Sequence, residues 1–173
     1  LKAKYYNYFF PRFARKAKRI VTVSYFSKED INRTYKIEAD KVDVVYNGVN
    51  TTYTPTSDEE NTKTKAAYSA GRDYFLFIGS LHPRKNICGL LRAYDAFRTS
   101  VDSDIKLVIV GESMFKTSDI ELTYEGMRYK NDVIFTGRLN NEELHRVLGA
   151  SLALTFVPYF EGFGIPVIEA MNA

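Results

Sequence analysis

This sequence of 173 residues has few cysteines and no long apolar segment. It contains a single cysteine, Cys88, which excludes an internal disulfide and any cysteine cluster for a metal ion. It also lacks a run of eighteen apolar residues and a recognisable signal peptide, so no transmembrane helix is predicted. Because the chain begins with Leu1 rather than Met and ends inside a helical pattern, we expect a fragment truncated at both ends.

Acidic residues are absent from the first 28 positions, which carry eight lysines and arginines. The rest of the chain holds 16 basic and 21 acidic residues, so the basic character belongs to one end. Aromatic residues accompany the cations over residues 1–19, a pattern typical of an amphipathic helix interrupted near Pro11. Such a surface suits either an anionic membrane or packing against a sheet. No nucleic-acid-binding motif accompanies the charge, so nucleic acid is not expected as a partner.

Apolar residues make up 45% of the chain, which is enough for a packed core. Four apolar runs, at 74–78, 105–110, 133–136 and 152–157, alternate with patterns of helical period. This alternation predicts an α/β fold, with a Rossmann-like parallel sheet and helices on both faces. The first three runs each end at a glycine, and ligands of such sheets bind at the carboxyl ends of the strands. We therefore expect one ligand cleft at that edge.

Shorter strand and helix patterns precede this region. A β-branched run at 20–23 is followed by Ser27-Lys-Glu-Asp30, a capping-box pattern that predicts the start of a helix. A second run at 41–46 ends in the turn pair Asn47-Gly48. Residues 51–73 are polar and show no sustained apolar period, so they are predicted to form a linker or a surface loop.

The last nineteen residues predict a strand, a glycine loop and a helix in that order. Gly162 and Gly164 allow the backbone to approach a ligand closely, with Phe163 between them. Unpaired amides in the first turn of the helix favour an anion such as a phosphate. Glu161 and Glu169 flank this position, and because carboxylates repel phosphate we expect them to bind hydroxyl groups. A sugar and a ribose on either side of a diphosphate would supply those hydroxyls.

The segment from Glu161 to Glu169 reads Glu-Gly-Phe-Gly-Ile-Pro-Val-Ile-Glu. It resembles the E-x7-E signature of the retaining glycosyltransferases of family 4, which have the GT-B fold. The resemblance implies that Glu161 orients hydroxyls of the donor sugar near the reacting carbon and that Glu169 binds the ribose. Whether Glu161 acts covalently is left open by the sequence.

A basic loop follows the run at 74–78 and resembles the family pattern G-R-L-x-P-R-K-N. It reads Gly79-Ser-Leu-His-Pro-Arg-Lys-Asn86, and Lys85 matches the lysine that grips the diphosphate of the nucleotide. Ser80 replaces the arginine that often follows the glycine, so Arg84 is only a candidate for the task of that arginine. Two cations before a helix suit a diphosphate, since each charge-assisted hydrogen bond contributes roughly 1.5 to 3 kcal/mol.

Two other patterns bear on the ligand. Arg138 and Leu139 follow the run at 133–136, where the resembled family places the nucleotide base. Asp102-Ser-Asp104 imitates a metal-binding D-x-D motif, but it precedes its strand and so belongs at the opposite edge of the sheet. No metal requirement is expected. His82 is interpreted as a solvent-facing or backbone-bonded histidine, and His145 as an inert residue of a surface helix.

The resemblance also gives the regions of the chain a role. Residues 1–50 would end an amino-terminal, acceptor-side domain, and residues 74–173 would form an incomplete nucleotide-sugar-binding domain. The expected reaction moves a hexose, mannose- or glucose-type, from a GDP- or UDP-sugar to an acceptor hydroxyl with retention, without a cofactor. A glycan or a lipid-linked acceptor is expected, in surface-polysaccharide or glycolipid assembly in the cytoplasm or at the inner face of the plasma membrane.

Three other functions compete with transfer. Paired glutamates also occur in glycosidases, but cations at a diphosphate imply a leaving group that needs no protonation by an acid. A sugar-nucleotide epimerase of the same fold would convert the donor without any acceptor. A non-catalytic module would bind the nucleotide sugar and leave it intact.

Overall fold

The computed structural model describes residues 2–112 and 118–173, and the chain divides into two compact units. The first unit consists of Leu1–Gly48 together with Glu161–Gly164. The second consists of Val49–Phe160 and Ile165–Ala173. The sequence-based division at residue 50 falls close to the change of unit, but it did not assign residues 161–164 to the first unit.

The first unit contains two strands that pair in parallel. Helix α1 (Lys2–Lys16) is followed by strand β1 (Ile20–Thr22), helix α2 (Tyr25–Tyr35) and strand β2 (Val42–Val44). Pro11 lies inside α1, so the expected interruption is wrong: the helix runs on past the proline. A proline removes one hydrogen bond of a helix, and the other residues of α1 keep the helical path.

Helix α2 begins three residues earlier than the capping-box pattern predicts. Ser24 is its N-cap, with an extended backbone and a hydroxyl that accepts a hydrogen bond from the amide of Ser27 at 3.0 Å. Both serines have the chemistry of a cap, since a short side-chain oxygen can satisfy a free amide of the first turn. Because Ser24 is the N-cap, the hydroxyl of Ser27 can bond to another partner.

The second unit is built on a four-stranded parallel sheet with the order β5-β4-β3-β6. Each strand is followed along the chain by a helix, as the alternation predicts. Its elements are α3 (Asp58–Ser69), β3 (Tyr74–Ile78), α4 (Ile87–Ser100), β4 (Lys106–Val110), α5 (Ser118–Glu125), β5 (Val133–Gly137), α6 (Asn141–Gly149), β6 (Ala153–Leu154) and α7 (Ile165–Ala170).

The strands of this sheet are buried on both faces because alternate side chains enter two separate cores. In β4, Leu107 and Ile109 pack in one core with residues of α4 and α5. Val108 and Val110 pack in the other core, with Val147 of α6. A strand covered on both faces must be apolar throughout, which is why the run in the sequence shows no alternation.

The prediction of a linker or surface loop over residues 51–73 is wrong for most of its length. Helix α3 occupies Asp58–Ser69, with Ser57 as its N-cap, and it packs against α6 and the sheet. Its buried residues are Thr64 and Ser69, which are polar, so hydrophobic periodicity does not reveal the helix. The hydroxyl of Ser69 is satisfied by the backbone of Lys65, as a buried polar group requires.

Three glycines mark the carboxyl ends of adjacent strands. The amide of Gly79 donates to the carbonyl of Val110, and the amide of Gly111 donates to the carbonyl of Gly137, both at 2.9 Å. Gly111 has φ 147°, and a Cβ atom there would overlap the carbonyl oxygen of Gly79. Only glycine allows the backbones after β3 and β4 to come this close.

A cluster of charged groups lies at the opposite, amino-terminal edge of the same strands. Arg98 and Lys106 both form ion pairs with Asp132, and all three side chains are at least about four-fifths buried. Burial alone would raise the pKa of Asp132, but hydrogen bonds from Lys106 and Arg98 and their charges bring it below its ordinary value. Asp104 of the D-x-D pattern pairs there with Arg72, as its position before β4 predicts.

Candidate functional site

Lys85 lies at the carboxyl end of β3. It ends a short 3₁₀ helix, Pro83–Lys85, between β3 and α4. Its side chain crosses Gly79, where a Cβ atom would lie 3.7 Å from Cε of Lys85, and its Nζ lies 5.6 Å from the ring centre of Phe156. The lysine side chain therefore passes within ordinary contact distance of Gly79 at the carboxyl edge of the sheet.

Neighbouring residues shape the same loop. His82 accepts a hydrogen bond at its Nδ1 from the amide of Arg84 at 3.1 Å, so it caps the 3₁₀ helix, as expected for a backbone-bonded histidine. Asn86 occupies the N-cap position of α4 with φ 58°, yet its side chain does not cap the helix. It donates instead to the carbonyl of Val157 at 3.0 Å.

Arg84 forms hydrogen bonds with the segment that follows β6. Its Nη1 donates to the carbonyl of Phe160 at 2.7 Å, and its own carbonyl accepts from the amide of Tyr159 at 3.0 Å. Together with the bond from Asn86, this connects residues 157–160 to the loop that carries Lys85.

Arg138 and Leu139 lie at the same edge of the sheet, beyond Gly137 at the end of β5. Arg138 is exposed, whereas Leu139 is partly buried against the core that contains Val110. The strand order separates them from Lys85 by one strand, since β4 lies between β3 and β5. Their predicted contact with a nucleotide base stays a prediction.

Glu169 lies in α7, next to the phenol of Tyr53. Burial raises the pKa of Glu169 above its ordinary value. Burial also raises the pKa of Tyr53, and the nearby carboxylate of Glu169 raises it further. The amide side chain of Asn172 donates to the carbonyl of Tyr53, which ties this part of the chain to the residues after α7. Tyr53 was not singled out from the sequence, because no local motif surrounds it.

The loop from Glu161 to Gly164 belongs to the first unit. The carbonyl of Gly162 accepts hydrogen bonds from the hydroxyls of Ser24 and Ser27, and the ring of Phe163 lies 5.9 Å from that of Tyr46. Gly164 is buried with φ 97°, a conformation that favours glycine. That Glu161 faces one cleft with Lys85 and Glu169 stays a prediction.

The sequence predicts neither a metal requirement nor a transmembrane helix. Within residues 2–112 and 118–173, no three His, Cys, Asp or Glu side chains are grouped closely enough to hold a metal ion. Independence from metal stays a prediction. Over the same residues, no helix has both the length and the apolar character that crossing a bilayer demands.

The predicted basic and aromatic segment 1–19 forms α1 over most of its length, and its first residue, Leu1, lies outside the described residues. Tyr5, Tyr8 and Phe13 each expose about half of their surface. Arg12 lies over the ring of Tyr8, at 3.5 Å from its centre. The first unit therefore presents aromatic rings and cations on one helix, and contact with a membrane stays a prediction.

Comparison with known protein families gives two matches along the chain. Residues 58–173 match the family model described as glycosyl transferases group 1, and residues 1–53 match the model described as Glycosyltransferase Family 4. The family resemblance stated from the E-x7-E segment is thereby confirmed. The residues between the two matches lie just before α3.

Two curated relatives are O-antigen mannosyltransferases. O-antigen chain mannosyltransferase B of Escherichia coli is 31% identical over 90% of this chain and 41% of its own length. O-antigen chain mannosyltransferase RfbU of Salmonella typhimurium is 29% identical over 96% of this chain and 43% of its own length. The chain thus spans about two fifths of the length of these relatives.

A solved structure with a similar backbone is that of HepE from Anabaena in complex with UDP-glucose. It superimposes with a TM-score of 0.78 at 18% sequence identity, over 90% of this chain and 43% of HepE. A likeness at this level of identity concerns the fold, and it confirms the predicted α/β fold of GT-B type.

Proposed function

Because this chain belongs to the glycosyl transferases group 1 family, we propose that its complete gene product transfers a hexose from a nucleotide-diphosphate sugar to an acceptor hydroxyl, with retention. The names of its curated relatives favour a mannose-type sugar and an acceptor in polysaccharide assembly. The complex of HepE with UDP-glucose supports a nucleotide sugar as the donor. The donor is then a GDP- or UDP-sugar, and the acceptor is a glycan or a lipid-linked glycan.

The observation that carries this proposal is the position of Lys85 at the carboxyl end of β3. There its ammonium group stabilises the negative charge that develops on the diphosphate as the bond to the sugar breaks. Arg84, which precedes Lys85 in the same loop, adds a second positive charge. The leaving group is then stabilised by protein cations, without a metal ion.

The other predicted residues bind the sugar, the ribose and the base of the donor. Glu161 orients hydroxyls of the sugar near the reacting carbon, and the backbone of Gly162, Phe163 and Gly164 approaches the donor closely. Glu169 binds the hydroxyls of the ribose, which replace the water that burial takes from its carboxylate. Arg138 and Leu139 contact the base beyond β5, and Gly79 makes room for the diphosphate beside Lys85.

The experiment that tests this function incubates the complete gene product with a panel of GDP- and UDP-sugars, with and without lipid-linked and glycan acceptors. Mass spectrometry should detect a product heavier by one hexose, and NMR of its anomeric proton reports retention or inversion. Conversion of the donor without an acceptor would show an epimerase. Donor binding with neither product would leave a non-catalytic binding module.

We also place the enzyme at the inner face of the plasma membrane, through α1. The exposed rings of Tyr5, Tyr8 and Phe13, with the surrounding lysines and arginines, suit an anionic lipid surface. The complete gene product should sediment with vesicles that contain phosphatidylglycerol and not with phosphatidylcholine vesicles. Equal recovery with both would mean that α1 serves packing inside the protein.

A further inference from the structure

The hydroxyl groups of two serines of the first unit bond to one backbone carbonyl of the Glu161 loop. The hydroxyl oxygen of Ser24 lies 2.5 Å from the carbonyl oxygen of Gly162, and that of Ser27 lies 3.3 Å from the same atom. The two hydroxyl oxygens are 3.2 Å apart. Residues 24 and 162 are separated by 138 positions in sequence, so only the fold brings them together.

The roles of the hydroxyl groups follow from their neighbours. Ser24 accepts the amide hydrogen of Ser27 as the N-cap of α2, so its own proton is left to donate to Gly162. Ser27 donates to the same carbonyl, and a carbonyl oxygen has two lone pairs to receive both hydroxyl groups. Because both serines are partly buried, water competes poorly for these bonds.

Close packing around Gly162 and a ring contact of Phe163 also restrict the loop. A Cβ atom on Gly162 would lie 3.3 Å from the hydroxyl of Ser27 and 3.6 Å from a methyl group of Val23, so glycine lets the serines approach. The next residue, Phe163, packs its ring against Tyr46. Two consecutive residues are therefore held immediately after Glu161.

We propose that Ser24 and Ser27 are positioning residues: by holding the carbonyl of Gly162 they set the place of the Glu161 carboxylate for sugar transfer. This inference rests on the proposed function, because it assigns the serines a task at the reacting sugar. The proposal assigns neither serine a contact with the donor. Their effect passes through the backbone of one residue, and catalysis depends steeply on such placement, with a displacement of about 1 Å costing up to roughly 100-fold in rate.

Variants of the complete gene product separate this role from helix capping. Ser24→Asp keeps an acceptor for the amide of Ser27, and Asp caps helices about as well as Ser, but an ionised carboxylate has no proton for Gly162. Ser27→Ala removes the second donor and leaves the cap of α2 in place. Ser24→Thr retains both functions. Ser57→Ala is the matched control, since it removes the N-cap of α3 in the second unit.

We expect Ser24→Asp to lower kcat roughly 10-fold or more while the dissociation constant of the donor changes less than about 2-fold. Ser27→Ala should lower kcat less, Ser24→Thr should restore it, and Ser57→Ala should leave it unchanged. If Ser24→Asp and Ser57→Ala have the same kcat, the serines do not position Glu161. A loss of donor affinity equal to the loss of kcat would also overturn the proposal.

A second measurement keeps this inference separate from the proposed function. Hydrogen exchange of the amides of residues 162–164 should be faster in Ser24→Asp than in the unmodified protein and in Ser57→Ala. Unchanged exchange would refute the contact whatever the enzyme does. If the unmodified protein transfers no sugar while exchange rises as expected, the proposed function fails and the contact between serines and loop stands.

Discussion

At the scale of single residues, Lys85 and Arg84 are neighbours in sequence with different surroundings. The Lys85 side chain extends over Gly79 towards the ring of Phe156. The Arg84 guanidinium is bonded to the carbonyl of Phe160. The arginine therefore holds the backbone that precedes Glu161, and the contact of Lys85 with a diphosphate stays a prediction.

Replacing Lys85 by alanine should weaken the binding of a nucleoside diphosphate by roughly 1 to 3 kcal/mol, because one charge-assisted hydrogen bond is lost. Isothermal titration calorimetry on the complete gene product measures this change. Lys63→Ala is the control, since Lys63 is exposed on α3 and pairs with Glu59. Equal affinities of the two variants would remove Lys85 from the diphosphate site.

The two glutamates should respond differently to replacement by glutamine. Glu161→Gln should lower kcat by about 100-fold with little change in donor affinity, because a charge near the reacting carbon acts in the transition state. Glu169→Gln should raise the dissociation constant of the donor about 10-fold, the effect of one lost hydrogen bond to a charged group. Steady-state kinetics measures kcat, and calorimetry measures the dissociation constant of the donor. If Glu161→Gln mainly weakens donor binding and Glu169→Gln mainly lowers kcat, the two roles are exchanged.

At the scale of elements, the carboxyl ends of β3, β4 and β5 are joined by hydrogen bonds between glycines and their neighbours. The loops that carry Lys85 and Arg138 begin at this edge, where the backbones of Gly79 and Gly111 lie close together. The amino-terminal edge of the same strands holds the Asp132 ion pairs instead. The amino-terminal edge is thus stabilised by buried ion pairs, and ligand binding at the carboxyl edge stays a prediction.

Gly111→Ala should lower the free energy of unfolding by at least about 2 kcal/mol, because alanine at φ 147° is strained and its Cβ would overlap Gly79. Gly126→Ala is the control. Its nearest heavy atom would lie at 3.5 Å and its φ is not in the left-handed region. Urea denaturation followed by circular dichroism compares the two variants, and equal stabilities would contradict the close approach of the two backbones.

Asp132→Asn should destabilise the second unit by roughly 2 to 4 kcal/mol at neutral pH, since it leaves Arg98 and Lys106 without their carboxylate. The folded state lowers the pKa of Asp132, so its stabilisation is full above the unfolded-state pKa and is lost as pH falls through the folded-state pKa. The difference from the unmodified protein should shrink over that range. Asp104→Asn, in an exposed pair with Arg72, should change stability by less than about 1 kcal/mol.

At the scale of the whole molecule, this chain spans about two fifths of the relatives that it matches. The family models divide it at residues 53 and 58, and the structure changes unit at Gly48, so sequence and fold give similar boundaries. Its assignment to an acceptor-side domain and a nucleotide-sugar-binding domain stays a prediction.

The 173-residue chain by itself should bind a nucleoside diphosphate without transferring sugar, because it spans only about two fifths of its relatives and would hold only the end of the predicted acceptor-side domain. Calorimetry with UDP and GDP tests the first part, and mass spectrometry of acceptor reactions tests the second. Sugar transfer by the chain alone would contradict the division into acceptor-side and donor-side domains.

The sequence by itself determined strands β3, β4 and β5 and their glycine ends, whereas β6 is shorter than the run at 152–157 predicts. The apolar runs of β3, β4 and β5 predict strands that are buried on both faces, and a glycine follows each run directly in the sequence. It also determined the family, because the segment from Glu161 to Glu169 holds its residues at consecutive positions. Such features depend on neighbours along the chain, so they can be recognised without a fold.

Only the tertiary structure decided the rest. Helix α3 buries Thr64 and Ser69, and polar residues become buried only where a fold supplies hydrogen-bond partners. Ser24 and Ser27 are equally suited to cap α2, and the choice between them coincides with a bond to Gly162 far along the chain. The membership of residues 161–164 in the first unit has the same cause, since long-range contacts decide it and no local pattern encodes them.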